Sequence, residues 1–319
     1  MRRLIQVLLA AACCIGIATA SAQDYPVKPL RIQIAYGPGS GLDLLTRQTA
    51  QEMSATWKQP VIVENRPGAN GLLGAEACRK AAPDGYTVCM LTKDLFWFRF
   101  WMNNVGVDPV KDFQPVTNLL YLVSAVVVHP STGAASVREF VDAAKARPGT
   151  FNYGSLGNGS GMNIFFEWMK KQYGIDVVHV PYKTPVDLVQ ANVTGQSSVT
   201  LLGALNFLPQ IRAGKVRAIA VSVRTPLLPD VPTLAEQGIA LDVSTWFGYF
   251  TPVGVPPDII RRLRDETARI YAVPAFRQKN LIDQGLLPVN NTPEEFARAI
   301  QADIATGADM IRISGVRQE

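Results

Sequence analysis

Histidine is scarce in this chain: His129 and His179 are the only two in 319 residues. There is no His-Glu-x-x-His helix, no Cys/His cluster and no EF-hand loop, so no metal site is expected. Nucleotide loops are missing too. Gly39-x-Gly41 is followed by Leu44, and Gly159-x-Gly161 by Ile164, where a dinucleotide fingerprint needs glycine. Gly154 to Gly159 has the interval of a phosphate loop, but Ser160 stands where lysine belongs. None of Ser40, Ser155 and Ser160 sits between the two glycines of a nucleophile elbow. The pattern holds no paired nucleophile and base, so no catalytic residue and no cofactor is expected. The formal charge of +5 is mild and no basic run stands out, which excludes a nucleic-acid partner. After the first residues, no run of about 18 apolar residues is present to span a membrane.

Cysteine is also sparse. Cys13 and Cys14 fall in an apolar run, and neither has leucine three positions earlier, which argues against lipidation. Met1-Arg2-Arg3, the apolar stretch Leu4 to Ala18 and the small residues Ala20-Ser21-Ala22 form a leader with a cleavage site, so residues 1–22 read as a signal peptide. The mature chain then starts at Gln23, and loss of Arg2 and Arg3 lowers the charge from +5 to +3. Such a protein suits a bacterial periplasm. Two cysteines remain, Cys78 in a helical pattern and Cys89 in mid-strand, a placement that favours two buried thiols over a bridge.

Leu30 to Tyr36, Val61 to Val63 and Tyr86 to Leu91 read as strands, separated by helical stretches Leu42 to Thr56 and Gly71 to Ala82. This β-α-β-α-β order predicts a parallel sheet with helices on both faces. Val116 to Val128 reads as one strand, and Ser136 with Glu139 as a capping box. Phe151 to Tyr153, a glycine-rich turn and a helix from Met162 to Tyr173 repeat the earlier strand, turn and helix. Thr292-Pro-Glu-Glu295 opens a last helix.

The two glycine-rich turns are the candidate binding elements. A helix N-terminus presents unpaired N–H groups and the positive end of the dipole, so it holds a carboxylate without a cationic side chain. Gly37, Pro38, Gly39, Ser40, Gly41, Leu42 and Asp43 form the first, with Ser40 and Asp43 also fitting a plain capping pair. Ser155, Leu156, Gly157, Asn158, Gly159 and Ser160 form the second. The aromatic run Phe96, Trp97, Phe98, Phe100 and Trp101 reads as core or as an apolar wall beside the first turn.

Several motifs coincide along the mature chain: Gly37-Pro-Gly-Ser-Gly-Leu-Asp43, Val63-Glu-Asn-Arg-Pro-Gly-Ala-Asn-Gly71, Ala82-Pro-Asp-Gly-Tyr86, Asn152-Tyr-Gly-Ser-Leu-Gly-Asn-Gly-Ser160, His179-Val-Pro-Tyr-Lys183 and Leu228-Pro-Asp-Val-Pro-Thr233. In order and spacing they resemble the Bug family, the extracytoplasmic solute receptors of tripartite tricarboxylate transporters. The resemblance implies an α/β, two-domain Venus-flytrap fold, each domain a mostly parallel sheet flanked by helices. It also implies a small organic acid ligand and a membrane permease as partner. Main-chain groups of the two turns would hold the carboxylate, with Asn70 nearby. Residues 23–122 with 224–319 are expected as one domain and 123–223 as the other; a monomer is expected.

Three positions depart from the family pattern. Leu42 replaces a threonine before Asp43, Leu201 to Asn206 lacks an acid, and Lys93-Asp94 leads into the aromatic run. All three point to a less polar cleft and to an aromatic or aliphatic carboxylate. A periplasmic hydrolase or isomerase acting on a small acid, and a receptor that signals to a sensor kinase, remain as rival readings.

Overall fold

A computed structural model describes residues 25–316 except 69–70, 101–105, 240 and 242. The expected leader, Asn70 and Trp101 lie outside the described residues. The first sheet begins with β1 (Leu30–Ile34), followed by α1 (Gly41–Trp57), β2 (Val61–Asn65), α2 (Leu72–Arg79) and β3 (Thr87–Thr92). β1 pairs in parallel with β2 and β3, as the βαβ order requires. β4 (Phe113–Leu122), β10 (Thr245–Pro252) and β11 (Leu286–Pro288) extend it in the order β11-β4-β10-β3-β1-β2. The second sheet holds β5 (Ser124–Val128), β6 (Phe151–Ser155), β7 (Val177–Pro181), β8 (Val199–Gly203) and β9 (Arg217–Val221) in the order β7-β6-β8-β5-β9. Its helices are α4 (Val137–Ala146), α5 (Gly161–Tyr173), α6 (Pro185–Val193) and α7 (Leu208–Arg212), preceded in the chain by the short α3 (Lys93–Trp97). Helices α8 (Pro257–Ala272), α9 (Pro274–Asn280) and α10 (Pro293–Ser314) complete the chain.

Both sheets follow one plan. A parallel trio with its earliest strand in the middle, β2-β1-β3 or β7-β6-β8, is continued by antiparallel strands. The α/β class holds, but the expectation of a mostly parallel sheet in each domain does not: two of five strand pairings are parallel in the first sheet and two of four in the second, because strands entering from the other sheet pair antiparallel. β10 reaches its slot between β3 and β4 from more than 120 positions downstream of β4, a pairing no local pattern carries.

The stretch read as one strand from Val116 to Val128 is two. β4 ends at Leu122 in the first sheet and β5 starts at Ser124 in the second. Val123, between them, donates its N–H to Gly285 O at 3.3 Å and accepts from Ala204 N at 2.8 Å. Its backbone is satisfied by tertiary partners, so no glycine or proline marks the crossing. Five consecutive residues of β5 are buried, which gives the continuous apolar run of a doubly covered strand.

Cys78 and Cys89 form a disulfide, contrary to the expectation of two thiols. α2 packs on β3 so that the two Cα atoms lie 6.2 Å apart, inside the bridging range. Residues 80–86, which contain the Pro83–Gly85 turn, connect the helix to the strand next to it in sequence and fold one onto the other. The bridge closes a loop with a sequence separation of 11. Serine at both positions should lower the unfolding free energy by about 3 kcal/mol from loop closure. Chemical denaturation of the oxidised and serine forms measures it, and a loss below about 1 kcal/mol would refute the loop-closure account.

The caps of the last helix form as expected: Thr292 and Glu295 make a reciprocal capping box. The box expected at α4 is only half formed. Ser136 accepts the Glu139 N–H, but the Glu139 carboxylate takes Ala135 N at 2.8 Å instead of its own cap residue. α10 packs along both α5 and β4, so one helix touches the flanks of both sheets. Its Gly307 lies against Trp97, where any side chain would strike the indole ring.

Candidate functional site

A cavity of about 660 Å³ lies between the two sheets, in the range of small-molecule sites. Thr92 and Phe247 line it from the first sheet and Leu201 and Leu202 from the second. The carboxyl ends of both parallel trios open onto it, where crossover loops of such sheets place ligand groups.

The two glycine-rich turns have the same local construction. Gly39-Ser-Gly-Leu-Asp43 and Gly159-Ser-Gly-Met-Asn163 each start a helix. In each, the serine is the N-cap and its Oγ accepts the N–H three residues on, at 3.2 Å for Asp43 and 3.3 Å for Asn163. In each, the preceding glycine donates its N–H back to that third side chain, Gly39 to Asp43 Oδ2 at 2.8 Å and Gly159 to Asn163 Oδ1 at 3.0 Å. Gly39 and Gly159 both have positive φ, which lets the chain turn into the helix. This leaves the first two helical N–H groups, Gly41 and Leu42 or Gly161 and Met162, without a partner among the described residues.

Charge separates the two turns. Asp43 is buried, and its carboxylate also takes Arg47 Nε at 3.1 Å and Asn65 Nδ2 at 2.8 Å. Burial pushes its pKa up, but the bonds from Arg47, Asn65 and Gly39 outweigh that and hold it below the usual carboxylate range. The first helix start therefore already carries a buried anion, against which α1 is compensated. At the second turn the equivalent residue is neutral Asn163, whose Nδ2 donates to Tyr153 Oη at 2.8 Å. No acid falls in the first turn of α5, so its dipole end is open to an outside anion.

The expected site residues divide accordingly. Leu42, Leu156, Gly159 and Ser160 line the cavity, joined by Gly161 and Met162. Gly37, Pro38, Gly39, Ser40, Gly41, Gly157 and Asn158 form the turns without lying on its wall, and Asn70 is outside the described residues. Asp43 and Ser155 point into the protein and position backbone. The Ser155 Oγ accepts Gly157 N at 3.0 Å and lies 2.7 Å from His179 Nε2. His179 stacks on Tyr153 at 4.8 Å between ring centres. Burial, helped by Lys170, lowers the His179 pKa against the pull of Glu167. A serine–histidine pair therefore exists that the pattern did not foresee, but the serine is fully buried behind the turn.

The aromatic run is both core and wall. Phe96, Trp97 and Phe98 are buried, and Trp97 and Phe98 reach the cavity. Trp246 lies wholly in the core and Phe247 on the wall, edge-on to Tyr36 at 5.7 Å.

Lys93 and Asp94 correct the reading of a uniformly less polar cleft. They sit directly after β3, and both line the cavity. Lys93 Nζ donates to Ser244 O at 3.0 Å and pairs with Asp303 Oδ1 of α10 at 3.3 Å. Asp303 also accepts Trp246 Nε1 at 2.5 Å. Position at the carboxyl edge of a parallel strand was the signal that could have flagged Lys93 and Asp94. Ser124, Ser244 and Asn206, also on the wall, carried no such signal, since the crossings that bring them there are tertiary.

Among the described residues, no helix is long and apolar enough to cross a membrane. Residues 45–316 match the family described as "Tripartite tricarboxylate transporter family receptor". A Cupriavidus necator protein, "UPF0065 protein in gbd 5'region", is 31% identical over 277 residues, covering 85% of this chain and 84% of its own. The structure "R. palustris Rpa4515 with adipate" superposes with a TM-score of 0.78 at 26% identity, over 92% of this chain and 99% of that one. "MatC (Rpa3494) from Rhodopseudomonas palustris with bound malate" gives 0.74 at 28% identity, over 90% and 100%.

Proposed function

The chain belongs to the tripartite tricarboxylate transporter receptor family, and from that premise we propose that it is a periplasmic receptor whose cleft grips a small organic acid for a membrane permease. The observation that carries this reading is the pair of serine-capped helix starts flanking the cavity, with Gly161 and Met162 on its wall. The carboxylate sits chiefly at α5, because α1 already holds Asp43. Residues 23–122 with 224–319 and residues 123–223 act as the two lobes, and the acid closes one against the other by favouring the closed population. Related structures with adipate and malate support an acid of this size.

The role is capture, not turnover. Two serine–histidine contacts occur among the described residues, and neither serves the cleft: Ser155, beside His179, has its hydroxyl buried and bound to the Gly157 N–H, and Ser131, 2.8 Å from His129 Nδ1, lies off the cavity wall. The body of the ligand is apolar, as the wall residues Leu42, Trp97, Leu156 and Leu201 favour. A thermal-shift screen of the mature protein tests both parts. A fitting acid at 100 times its Kd stabilises by about 2.7 kcal/mol, a shift on the order of 5 °C. Aromatic or branched aliphatic acids should outperform citrate and glutamate. Stabilisation by citrate alone would refute the apolar body, and silence from every acid would refute the receptor reading.

A further inference from the structure

Asp94 is a carboxyl group where an anion receptor should not want one. It stands in the first turn of α3, on the wall of the cavity. Its Oδ1 is 3.7 Å from where a Cβ on Gly161 would lie, so it faces the start of α5. That start is the free helix end at which the ligand carboxylate is placed above. Among the described residues, Asp94 makes no hydrogen bond or ion pair. Its neighbour Lys93 directs its ammonium to Ser244 O and Asp303. Burial raises the Asp94 pKa against the pull of Lys93, and Asp94 in turn, after burial itself, raises that of Tyr36. An isolated acceptor is thus held beside an isolated pair of donors.

With Asp94 ionised, a plain acid bound at α5 would set its carboxylate against the Asp94 carboxylate with nothing between them. An acid with a hydroxyl or ammonium next to its carboxylate places a donor in that gap. An ionised carboxyl is an acceptor only, and its bond to a cationic donor is the stronger kind. We propose that Asp94 is the specificity-determining residue of the cleft, selecting acids that carry a hydroxyl or ammonium donor adjacent to the carboxylate. The inference rests on the receptor reading above and names the chemical class of its ligand. A site built around a half-buried acceptor discriminates against a ligand that leaves it unpaired.

Calorimetry on the mature chain at neutral pH tests this with two matched series. One is 3-phenylpropionate, 3-phenyllactate and phenylalanine; the other is 4-methylpentanoate, 2-hydroxy-4-methylpentanoate and leucine. In at least one series the hydroxyl or ammonium member should bind at least tenfold more tightly than its parent, and which of the two does so identifies the donor. Asp94→Asn and Asp94→Ala should each weaken that member at least tenfold. The parent should gain severalfold in both, because the opposing charge is gone. Melting curves check that both variants fold. Parent acids that bind as tightly as their donor-bearing partners, or variants that weaken all three alike, would overturn the inference and leave the receptor reading standing. If no acid in these series or in the thermal screen binds, both fall together.

Discussion

Replacing Gly161 with proline should weaken acid binding by one to two orders of magnitude while moving the melting temperature by no more than about 3 °C. Gly161 is the first residue of α5, the position at which proline is best tolerated, since the N–H it removes has no helical partner. Ser160 before it has φ −64° and ψ 152°, already the extended conformation a following proline demands. The new Cβ would meet Asp94 Oδ1 at 3.7 Å, an ordinary contact. What disappears is one donor aimed at a carboxylate, and hydrogen bonds to charged groups contribute roughly 1.5–3 kcal/mol, or about 10- to 100-fold. The mirror substitution, Gly41→Pro, should cost less than tenfold. Ser40 has the same extended conformation, so the fold tolerates both equally. The difference lies in bonding: the Asp43 carboxylate is part of the first turn of α1 and accepts the Gly39 N–H, whereas the first turn of α5 holds neutral Asn163 and the Asp94 carboxyl of α3 stands beside it. Titration calorimetry of the two variants decides it. Equal losses would show that the lobes share the anion evenly, contrary to the argument from Asp43.

Asp303→Leu is the substitution expected to destabilise the fold most, by roughly 3–5 kcal/mol. Asp303 is buried on α10 and bonds two groups from other elements, Lys93 Nζ of α3 and Trp246 Nε1 of β10. Its backbone carbonyl accepts Trp97 Nε1 at 3.0 Å as well, which ties α10 to the aromatic wall. Leucine takes the anion from a lysine with 2% side-chain exposure and the acceptor from a wholly buried indole. Removing one partner of such a pair costs far more than replacing both, because the remaining charge stays in a low-dielectric surrounding. Combining Asp303→Leu with Lys93→Met should therefore recover part of the loss. Denaturant midpoints of the two single variants and the double variant form the cycle. A single-variant loss below about 1 kcal/mol, or strict additivity, would show that the pair is not coupled in the way its burial implies.

The legible part of this protein was local. Serine and glycine before Leu42 and before Met162 announced two helix starts of one kind, because capping is decided within four residues. The βαβ order around β1 and β6 announced the parallel trios, since a short crossover leaves few other ways to cover a strand. The candidate turns were found for the same reason, although only Leu42, Leu156, Gly159 and Ser160 of that set reach the cavity wall. The disulfide was misjudged from the same kind of pattern. Helix and strand positions were read correctly for Cys78 and Cys89, but the packing of α2 on β3 sets their distance.

By itself, the amino-acid order determined the α/β class, the receptor family and the two glycine-rich turns, each a consequence of contacts between near neighbours or of motifs in a fixed order. The tertiary structure alone decided that Val123 divides one apolar run between two sheets, and that β10 enters between β3 and β4. It also decided that the Asp94 carboxyl lies beside Gly161 at the start of α5. Those outcomes join residues tens to more than a hundred positions apart. Each depends on which buried surfaces cover one another, a choice that apolar strands alike on both faces leave open until the whole chain is packed.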